Sequence, residues 1–301
     1  VQLAMTAQIA ADAKLDDSDL PDATGMEFPT MGVSANLQLV NMMDYDYDDP
    51  QWDIFMDQLT YEQMAKLCAN GLRMTINIDA IGKPLTVDHN GPSGVTQKYS
   101  VGENGYAVQT NDPQKDIKGT CYPCNGIIAA TFNDELIREV GELIGEDAMW
   151  AGYAGLYGTG LNIHRSPYAG RVFEYYSEDG TLTGLVDAAG AQWAGAYTEL
   201  LTDWLRGEAG MEGFAVTDMY DDTYMVKANE VVAGNDIPDN YVGDDISQFA
   251  AYGPNGTTPN AAVAQALRTS SKRVLYTVLH SRGMDGISAN MKVVSVTPWW
   301  Q

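Results

Sequence analysis

The sequence predicts an α/β fold built around a parallel sheet, because helix-forming stretches alternate along the chain with short apolar runs. Apolar residues recur at helical spacing in Trp52–Leu67, Asn133–Ile144 and Ala261–His280. The short stretches Leu161–Ile163 and Phe214–Val216 are predicted to be strands, and the three consecutive apolar residues of the second are typical of a strand that is covered on both faces. Alternation of these two kinds of element is the pattern of βα units around a parallel sheet.

The first third of the chain contains two acidic runs and one helix. Residues 1–35 are polar, and the run Asp16–Asp19 followed by Pro21 predicts an irregular N-terminal arm. The run Asp44–Asp49 is rich in oxygen ligands but lacks the glycine and the distal glutamate of a calcium loop, which favours a solvated turn. The helix that follows is predicted from one apolar stripe, formed by Ile54, Phe55, Leu59, Met64 and Leu67.

The later elements have clear boundary signals. Asn133 is predicted to cap a helix, since apolar residues follow it at helical spacing. Gly152–Gly160 is rich in glycine but has no lysine for a phosphate loop, so it is predicted to be a tight connection from helix to strand. In the terminal helix, Ala261–His280, the basic residues Arg268, Lys272 and Arg273 are predicted to form a solvated face.

The charge of the chain restricts the classes of partner. Forty-one acidic and seventeen basic residues give the 301-residue chain a net charge of −24. Such a charge repels nucleic acids and anionic membranes but is compatible with a neutral ligand such as a sugar. No apolar run is long enough to span a membrane, and the N-terminal residues lack the pattern of a signal peptide. The compartment, secreted or cytoplasmic, is left open because a processed secreted protein would have the same composition.

The three cysteines favour a structural interpretation. Cys121 and Cys124 have C-x-x-C spacing, which permits a redox or a zinc site. A zinc site needs further ligands at suitable spacing, and a thioredoxin-like site needs a fold that is not indicated here. We therefore expect buried or loop thiols for this pair and for Cys68.

Two stretches carry the densest chemistry. Gly170–Asp179, with the sequence GRVFEYYSED, combines an arginine with carboxylates and aromatic residues. Gly213–Asp218, with the sequence GFAVTD, is an apolar run that ends in one carboxylate, where barrel enzymes place catalytic groups. The alternative is that Asp218 only caps the next helix.

These stretches and their surroundings resemble glycoside hydrolase family 3. The segments that carry the resemblance are Asp49–Leu67, Asn90–Val95, Cys121–Asn133, Leu161–Asp179, Leu200–Tyr220 and Val232–Pro238. The ending, Arg273–Gly286 with Thr297–Trp300, resembles the branch in which the barrel domain is C-terminal. The resemblance implies a (β/α) TIM-like barrel over residues 36–301. It implies neither a cofactor nor a metal ion.

The resemblance also implies roles for individual residues. Asp218 matches the family's nucleophile, and Arg171 matches the arginine that holds sugar hydroxyls. A guanidinium is suited to that task because its planar fork can hold two oxygens at fixed angles. Met219, at a position where many relatives have tryptophan, is predicted to form an apolar platform under the sugar. Four further residues are predicted to hold this loop rigid by ionic contacts without binding the sugar: Arg165, Glu174, Glu178 and Asp179.

The chain departs from the family pattern in three places. The loop that usually begins with a sugar-binding aspartate begins here with Asn90, and Asp88 is a candidate substitute. The family's lysine-histidine segment is missing near residues 187–192, so either residues of the full protein are omitted there or the barrel is incomplete. Omission is favoured, because both flanks match the family up to the junction. The acid/base glutamate usually comes from a separate sandwich domain, and the chain has no motif for one.

The function predicted from the sequence is a retaining glycoside hydrolase for β-linked neutral sugars, a β-glucosidase that acts through a covalent glycosyl-aspartate. Retention needs a nucleophile and an acid/base, both usually carboxyl groups. The alternative is a catalytically inactive barrel that binds carbohydrate or acts as a scaffold. A C-x-x-C redox protein is a third and weaker hypothesis.

Overall fold

A computed structural model gives the fold of the chain. It describes residues 15–91, 93–95, 99–101, 107–109, 120–158, 168, 170–174, 193–222, 224–240 and 246–287. The helices are α1 (Gln51–Met56), α2 (Tyr61–Ala69), α3 (Asn125–Ala129), α4 (Asp134–Ala151), α5 (Lys227–Ala233), α6 (Ser247–Ala250) and α7 (Ala261–Leu279), with a π-helix over Glu199–Glu208. The strands are β1 (Met74–Thr75), β2 (Thr86–Val87), β3 (His89–Asn90), β4 (Tyr99–Val101), β5 (Ala107–Gln109), β6 (Leu156–Tyr157), β7 (Val216–Met219) and β8 (Ile237–Asp239).

The described strands form a mixed α/β structure. Two pairs are parallel, β3 with β6 and β7 with β8, and two are antiparallel, β1 with β2 and β4 with β5. Single backbone hydrogen bonds connect these pairs: Asp88 N–H donates to the Arg73 carbonyl over 2.8 Å, and Gly71 N–H donates to the Asn240 carbonyl over 2.7 Å. The elements that these hydrogen bonds connect therefore lie side by side in the order β6, β3, the segment at residues 71–73, β8 and β7. These described strands do not close into a barrel.

The strand predicted at Phe214–Val216 lies two residues later, at β7. Its start is displaced because Ala215 N–H donates to the side chain of Asp236 over 2.7 Å instead of entering a strand ladder. The strand predicted at Leu161–Ile163 lies outside the described residues. Within the predicted glycine-rich connection, the helix ends at Gly152, which has a left-handed φ of 81°, and β6 follows after only three residues.

The main hydrophobic core lies between the helices near the two ends of the described chain. Trp52 and Phe55 of α1 are fully buried, and their rings meet edge to face at a centroid distance of 5.6 Å. They pack with α2 against α7, where Leu267, Val274 and Val278 are also fully buried. The core thus joins segments about 200 residues apart in sequence, which fixes the frame that carries β7 and β8.

The helix predicted over Trp52–Leu67 is in fact two helices. α1 ends at Met56 and α2 begins after Thr60, whose hydroxyl accepts a hydrogen bond from Gln63 N–H while the Gln63 side chain accepts one from Thr60 N–H. This capping box starts a new helix and allows a change of direction. Ile54, which was placed on the buried stripe, is 48% exposed as a result.

The helix predicted after Asn133 is confirmed as α4. The Asn133 side chain accepts a hydrogen bond from Leu136 N–H over 3.1 Å, as expected for an N-cap. Among its residues only Ile144 is buried, whereas Leu143 and Trp150 remain 47% and 62% exposed. The apolar stripe of α4 is therefore largely uncovered by the part of the chain that the structure describes.

The basic residues of α7 do not form the solvated face that the sequence predicted. Arg268 donates to the carbonyls of Thr30 and Asp53 and forms a 2.8 Å ion pair with Asp57. Lys272 lies 4.2 Å from the centre of the Tyr47 ring. The prediction was wrong because a helix pattern does not show which charged side chains meet partners from distant segments.

A buried ionic cluster joins α7 to the start of β7. The fully buried Asp236 carboxylate forms ion pairs with Arg206 (Oδ2 to Nη2, 2.6 Å) and Arg273 (Oδ1 to Nη1, 3.0 Å). Arg206 lies in the π-helix, and its remaining donors bind the carbonyls of Met211, Gly213 and Gly234. The π-helix, α7 and the segment directly before β7 are therefore all bound to the Asp236 carboxylate.

The described part of the N-terminal arm follows the surface of the C-terminal elements. Leu15 is buried beside Ala196 and Ala233, and the Asp17 carboxylate accepts a 2.5 Å hydrogen bond from the Tyr252 hydroxyl. No helix in the described part of the chain combines the length and the apolar character required to cross a bilayer.

We predict that Asp236→Ala will lower the free energy of unfolding by about 3–5 kcal/mol, because it leaves two largely buried guanidinium groups without their counterion. Urea denaturation of both proteins measures the change. Glu142→Ala is the matched control: it removes the exposed Arg138–Glu142 pair and is expected to cost less than about 0.5 kcal/mol. Equal losses in the two variants would contradict this role for Asp236.

Candidate functional site

Strand β7 presents Asp218 at an exposed position. Val216 pairs with Ile237 and Met219 with Asp239, and the register shifts between these two pairs. Thr217 is buried, whereas the side chain of Asp218 is 71% exposed and Met219 is 70% exposed. The alternative role of Asp218 as a helix cap is not observed, since the N-cap of the next helix, α5, is Val226.

Arg171 reaches Asp218 from a separate segment of the chain. Its Nε and Nη2 donate to the two carboxylate oxygens of Glu174, over 2.9 Å and 2.6 Å. Its third nitrogen, Nη1, lies 3.6 Å from Asp218 Oδ2. One guanidinium thus connects Glu174 to Asp218, and the three side chains form a single charged group at the end of β7.

The other predicted site residues are distributed differently. Asp88 is only 2% exposed and lies inside the molecule. Asn90 is in β3 and pairs with Tyr157, but its side chain belongs to the part that the structure does not describe, as do the whole of Arg165, Glu178 and Asp179. The structure therefore brings Arg171, Glu174 and Asp218 together, and it places Asp88 at a second location.

Asp88 lines a cavity of about 240 Å³. Leu156 and Tyr157 of β6 also line it, as do Phe214 and Val216 near the start of β7. Asp88 Oδ1 has no hydrogen-bond partner in the described part of the chain. A side chain at position 155 would come within 2.8 Å of that oxygen, so Gly155 leaves the space that the Asp88 carboxyl group occupies.

A cluster of buried charges surrounds Asp88, and the sequence analysis did not identify it. Arg73 stacks on the Tyr157 ring at 4.3 Å and lies 3.7 Å from Asp239 Oδ2, while the Tyr157 hydroxyl donates to Asp239 Oδ1 over 3.1 Å. The fully buried Lys83 ammonium donates to Thr75 Oγ1 and to the backbone carbonyls of Thr75, Ile76 and Pro84. No local motif links these residues, since they come from four separate strands and loops.

Burial governs the protonation of this cluster. Desolvation raises the pKa of Asp88 to about 7, opposed by the charges of Lys83 and Arg73 and assisted by that of Asp239. Desolvation likewise lowers the pKa of Lys83 to about 7, against the attraction of Asp88. The pKa of Asp239 is raised by burial, although Arg73 and the Tyr157 hydroxyl oppose the shift.

The cysteines are all free thiols. Cys68 is buried, and burial raises its pKa, whereas Cys121 is exposed and Cys124 is partly exposed. Within the described ranges, no three histidine, cysteine, aspartate or glutamate side chains are grouped as a metal ion would require. Buried Cys68 and exposed Cys121, which lies outside any helix or strand, agree with the expected buried or loop thiols.

Known proteins with similar sequences include β-glucosidases and exo-α-(1→6)-L-arabinopyranosidases. No protein-family model matches the chain. Beta-glucosidase A of Butyrivibrio fibrisolvens is 34% identical over 142 residues, which cover 45% of this chain and 15% of that protein. A putative beta-glucosidase of Schizosaccharomyces pombe is 31% identical over 182 residues, covering 60% of this chain and 19% of the relative. The chain therefore spans less than a quarter of the length of these relatives.

Solved structures show that the fold is similar to part of larger β-glucosidases. A β-glucosidase from Paenibacillus barengoltzii superposes with a TM-score of 0.57 at 18% identity, over 93% of this chain and 37% of that one. The family 3 enzyme of Bifidobacterium adolescentis gives 0.53 at 20% identity, over 80% and 42%. Beta-glucosidase 3B of Thermotoga neapolitana, solved in complex with glucose, gives 0.55 at 21% identity, over 81% and 43%. The chain is related to family 3 β-glucosidases in sequence and shares part of their fold.

We predict that the stability of the protein will fall between about pH 4.5 and pH 7 because of Asp88. In this range the folded protein retains a proton on Asp88 that the unfolded chain, with an aspartate pKa of about 3.9, has released. Lys83 is charged in both states below pH 7, so its own contribution arises only above that pH and has the opposite sign. Asp88→Asn should remove the fall, which we expect to amount to about 1–3 kcal/mol.

Urea denaturation of the wild type and of Asp88→Asn at pH 4.5 and at pH 7 tests this prediction. Titration of the acids that do not interact with Asp88 cancels in the difference between the two proteins. Parallel pH profiles would mean that Asp88 is ionised in the folded protein throughout this range.

Proposed function

We propose that this chain belongs to a retaining glycoside hydrolase that cleaves β-linked neutral sugars, specifically a β-glucosidase. The observation that carries the proposal is the contact between Arg171 and Asp218, two residues 47 positions apart that the family resemblance assigned to one site. The similarity to β-glucosidases supports the reaction class. The glucose complex of a structurally similar enzyme supports a neutral hexose as the substrate.

In the proposed reaction, Asp218 is the nucleophile. One of its carboxylate oxygens attacks the anomeric carbon, the bond from that carbon to the leaving oxygen breaks, and the leaving oxygen takes a proton from an acid. Water then attacks the glycosyl-aspartate, the same acid/base group accepts the proton from that water, and Asp218 is released as a carboxylate. The exposure of Asp218 allows a substrate to approach it from solvent.

Arg171 is proposed to hold sugar hydroxyls beside the nucleophile. Its side chain is 61% exposed, its guanidinium lies beside Asp218, and Glu174 fixes one edge of that group. Met219, equally exposed and next to Asp218, is proposed as the apolar platform under the sugar. Arg165, Glu178 and Asp179 remain proposed supports for this site, and Asn90 and Asp88 remain proposed contacts to sugar hydroxyls.

The fold proposed for the full protein is a TIM-like barrel that is incomplete in this chain. The supporting observation is that β6 and β7, which come from two separate parallel pairs, both line the 240 Å³ cavity. The interruption proposed near residues 187–192 lies in the chain between these two strands. Residues 1–35 are proposed as an arm and residues 36–301 as the barrel domain.

The acid/base group is proposed to come from a further domain of the full-length protein. The relatives are at least four times longer than their matched segments, so they have room for such a domain. Carbohydrate is the proposed ligand, and neither nucleic acid nor a membrane is a proposed partner.

A second candidate function is carbohydrate binding without catalysis. It is favoured by the high exposure of Asp218, because water competes for a nucleophile that is not enclosed, and by the substitution of Asn90 for the family's aspartate. Both candidates use the same surface, and the fate of the glycosidic bond distinguishes them.

We predict that Asp218→Ala will lower turnover of a chromogenic aryl β-glucoside by at least about 10³-fold, since no covalent intermediate can form. Asp222→Asn, an exposed acid four residues away, is the matched control and should retain full activity. A 2-deoxy-2-fluoroglucoside with a good leaving group should attach to the peptide that contains Asp218, as detected by mass spectrometry.

Calorimetry with glucose and cello-oligosaccharides completes this test. Binding by the wild type without turnover or labelling supports the second candidate function. Labelling of another residue contradicts the role of Asp218, and the absence of both binding and turnover contradicts both functions.

A further inference from the structure

A buried amide holds the segment that carries Arg171. Asn125 is the first residue of α3 and is only 1% exposed. Its Nδ2 donates a 2.6 Å hydrogen bond to the backbone carbonyl of Glu174, 49 residues later in the chain. This bond fixes the backbone of the short 3₁₀ turn Val172–Glu174 at the residue whose side chain binds Arg171.

The direction of the Arg171 guanidinium depends on that backbone. Two of its nitrogens bind the two oxygens of Glu174, and because the group is planar, this fork also sets the direction of Nη1 toward Asp218. Arg171 is 61% exposed, and an exposed ion pair by itself loses most of its Coulomb energy to solvent and to side-chain entropy. The hydrogen bond from Asn125 to the Glu174 carbonyl already restricts this backbone. The Arg171–Glu174 pair therefore loses less conformational entropy when it forms.

We propose that Asn125 is a positioning residue that acts on Asp218 through Glu174 and Arg171. This inference rests on the proposed function, since it assigns Asn125 to the same site. The hydrogen bond from the Asn125 side chain to the Glu174 carbonyl carries this effect. The sequence gives no hint of this role, because position 125 follows a C-x-x-C motif and lies far from both active-site stretches.

The first test measures the order of the Arg171 side chain without using activity. In the ¹⁵N NMR spectrum, the Arg171 Nε–H resonance, assigned with Arg171→Lys, should exchange slowly with water because it donates to Glu174. Asn125→Asp, which removes the donor and retains the shape, should raise the exchange rate at least about tenfold. If that variant does not fold, Asn125→Ser removes the contact without adding a charge.

Asn70→Asp is the matched control for this measurement. Asn70 is also 1% exposed and also donates through Nδ2 to a backbone carbonyl, that of Lys66, over 2.7 Å. Its substitution should lower stability similarly and leave the Arg171 exchange rate unchanged. An unchanged rate in both Asn125 variants, or an equal rise in Asn70→Asp, would overturn the proposal.

The second test is a double-mutant cycle on the hydrolysis of an aryl β-glucoside. Asn125→Ser should lower kcat/KM about tenfold in the wild type but less than about twofold in Arg171→Ala, because its effect passes through Arg171. Additive losses would indicate a general structural role and overturn the proposal. If the exchange rate responds as expected while the wild type shows no turnover, the proposed function fails and the positioning contact stands.

Discussion

The buried carboxylate of Asp236 is the interaction on which the described structure depends. It binds Arg206 from the π-helix, Arg273 from α7 and the N–H of Ala215. A charge with no access to water cannot be left without partners, so these elements must meet at one point. Because Ala215 lies directly before β7, the same contact fixes where that strand begins and hence where Asp218, three residues later, is presented.

The strand that begins there has two different surroundings. Val216 lines the cavity, and the Thr217 hydroxyl accepts a hydrogen bond from Asp239 N–H over 2.8 Å, which joins β7 to β8. One residue later the chain is exposed, and Asp218 meets Arg171 at the surface. Ionic groups therefore occur in two places. An exposed set includes Asp218 and Arg171, for which we propose a role in catalysis, and a buried set surrounds Asp88, whose pKa is raised by desolvation.

The described elements leave apolar surface open. Strands β6 and β7 both line a cavity, and the apolar stripe of α4 is mostly exposed among the described residues, so we expect other residues of the protein to cover these surfaces. Apolar surface and strand edges are normally covered, because exposure of either favours association. The similarity to less than half of each solved β-glucosidase agrees with this view.

The sequence by itself determined the elements with strong local signals. The cap at Asn133, the long helix α7 and the approximate position of β7 were predicted because each depends on residues within a few positions. Through the family that they resemble, the motifs also predicted that Arg171 and Asp218 belong to one site. Only the distance between the two side chains in the folded chain could be compared with that prediction.

Only the tertiary structure decided the contacts between distant segments. The ion pairs of Arg268 and Arg273 and the buried cluster around Asp88 all depend on partners that no local pattern specifies. The same is true of Asn125, whose single bond to Glu174 crosses 49 residues. Periodicity records which side of an element is apolar, whereas the energy of a buried charge or amide depends on what the fold places against it.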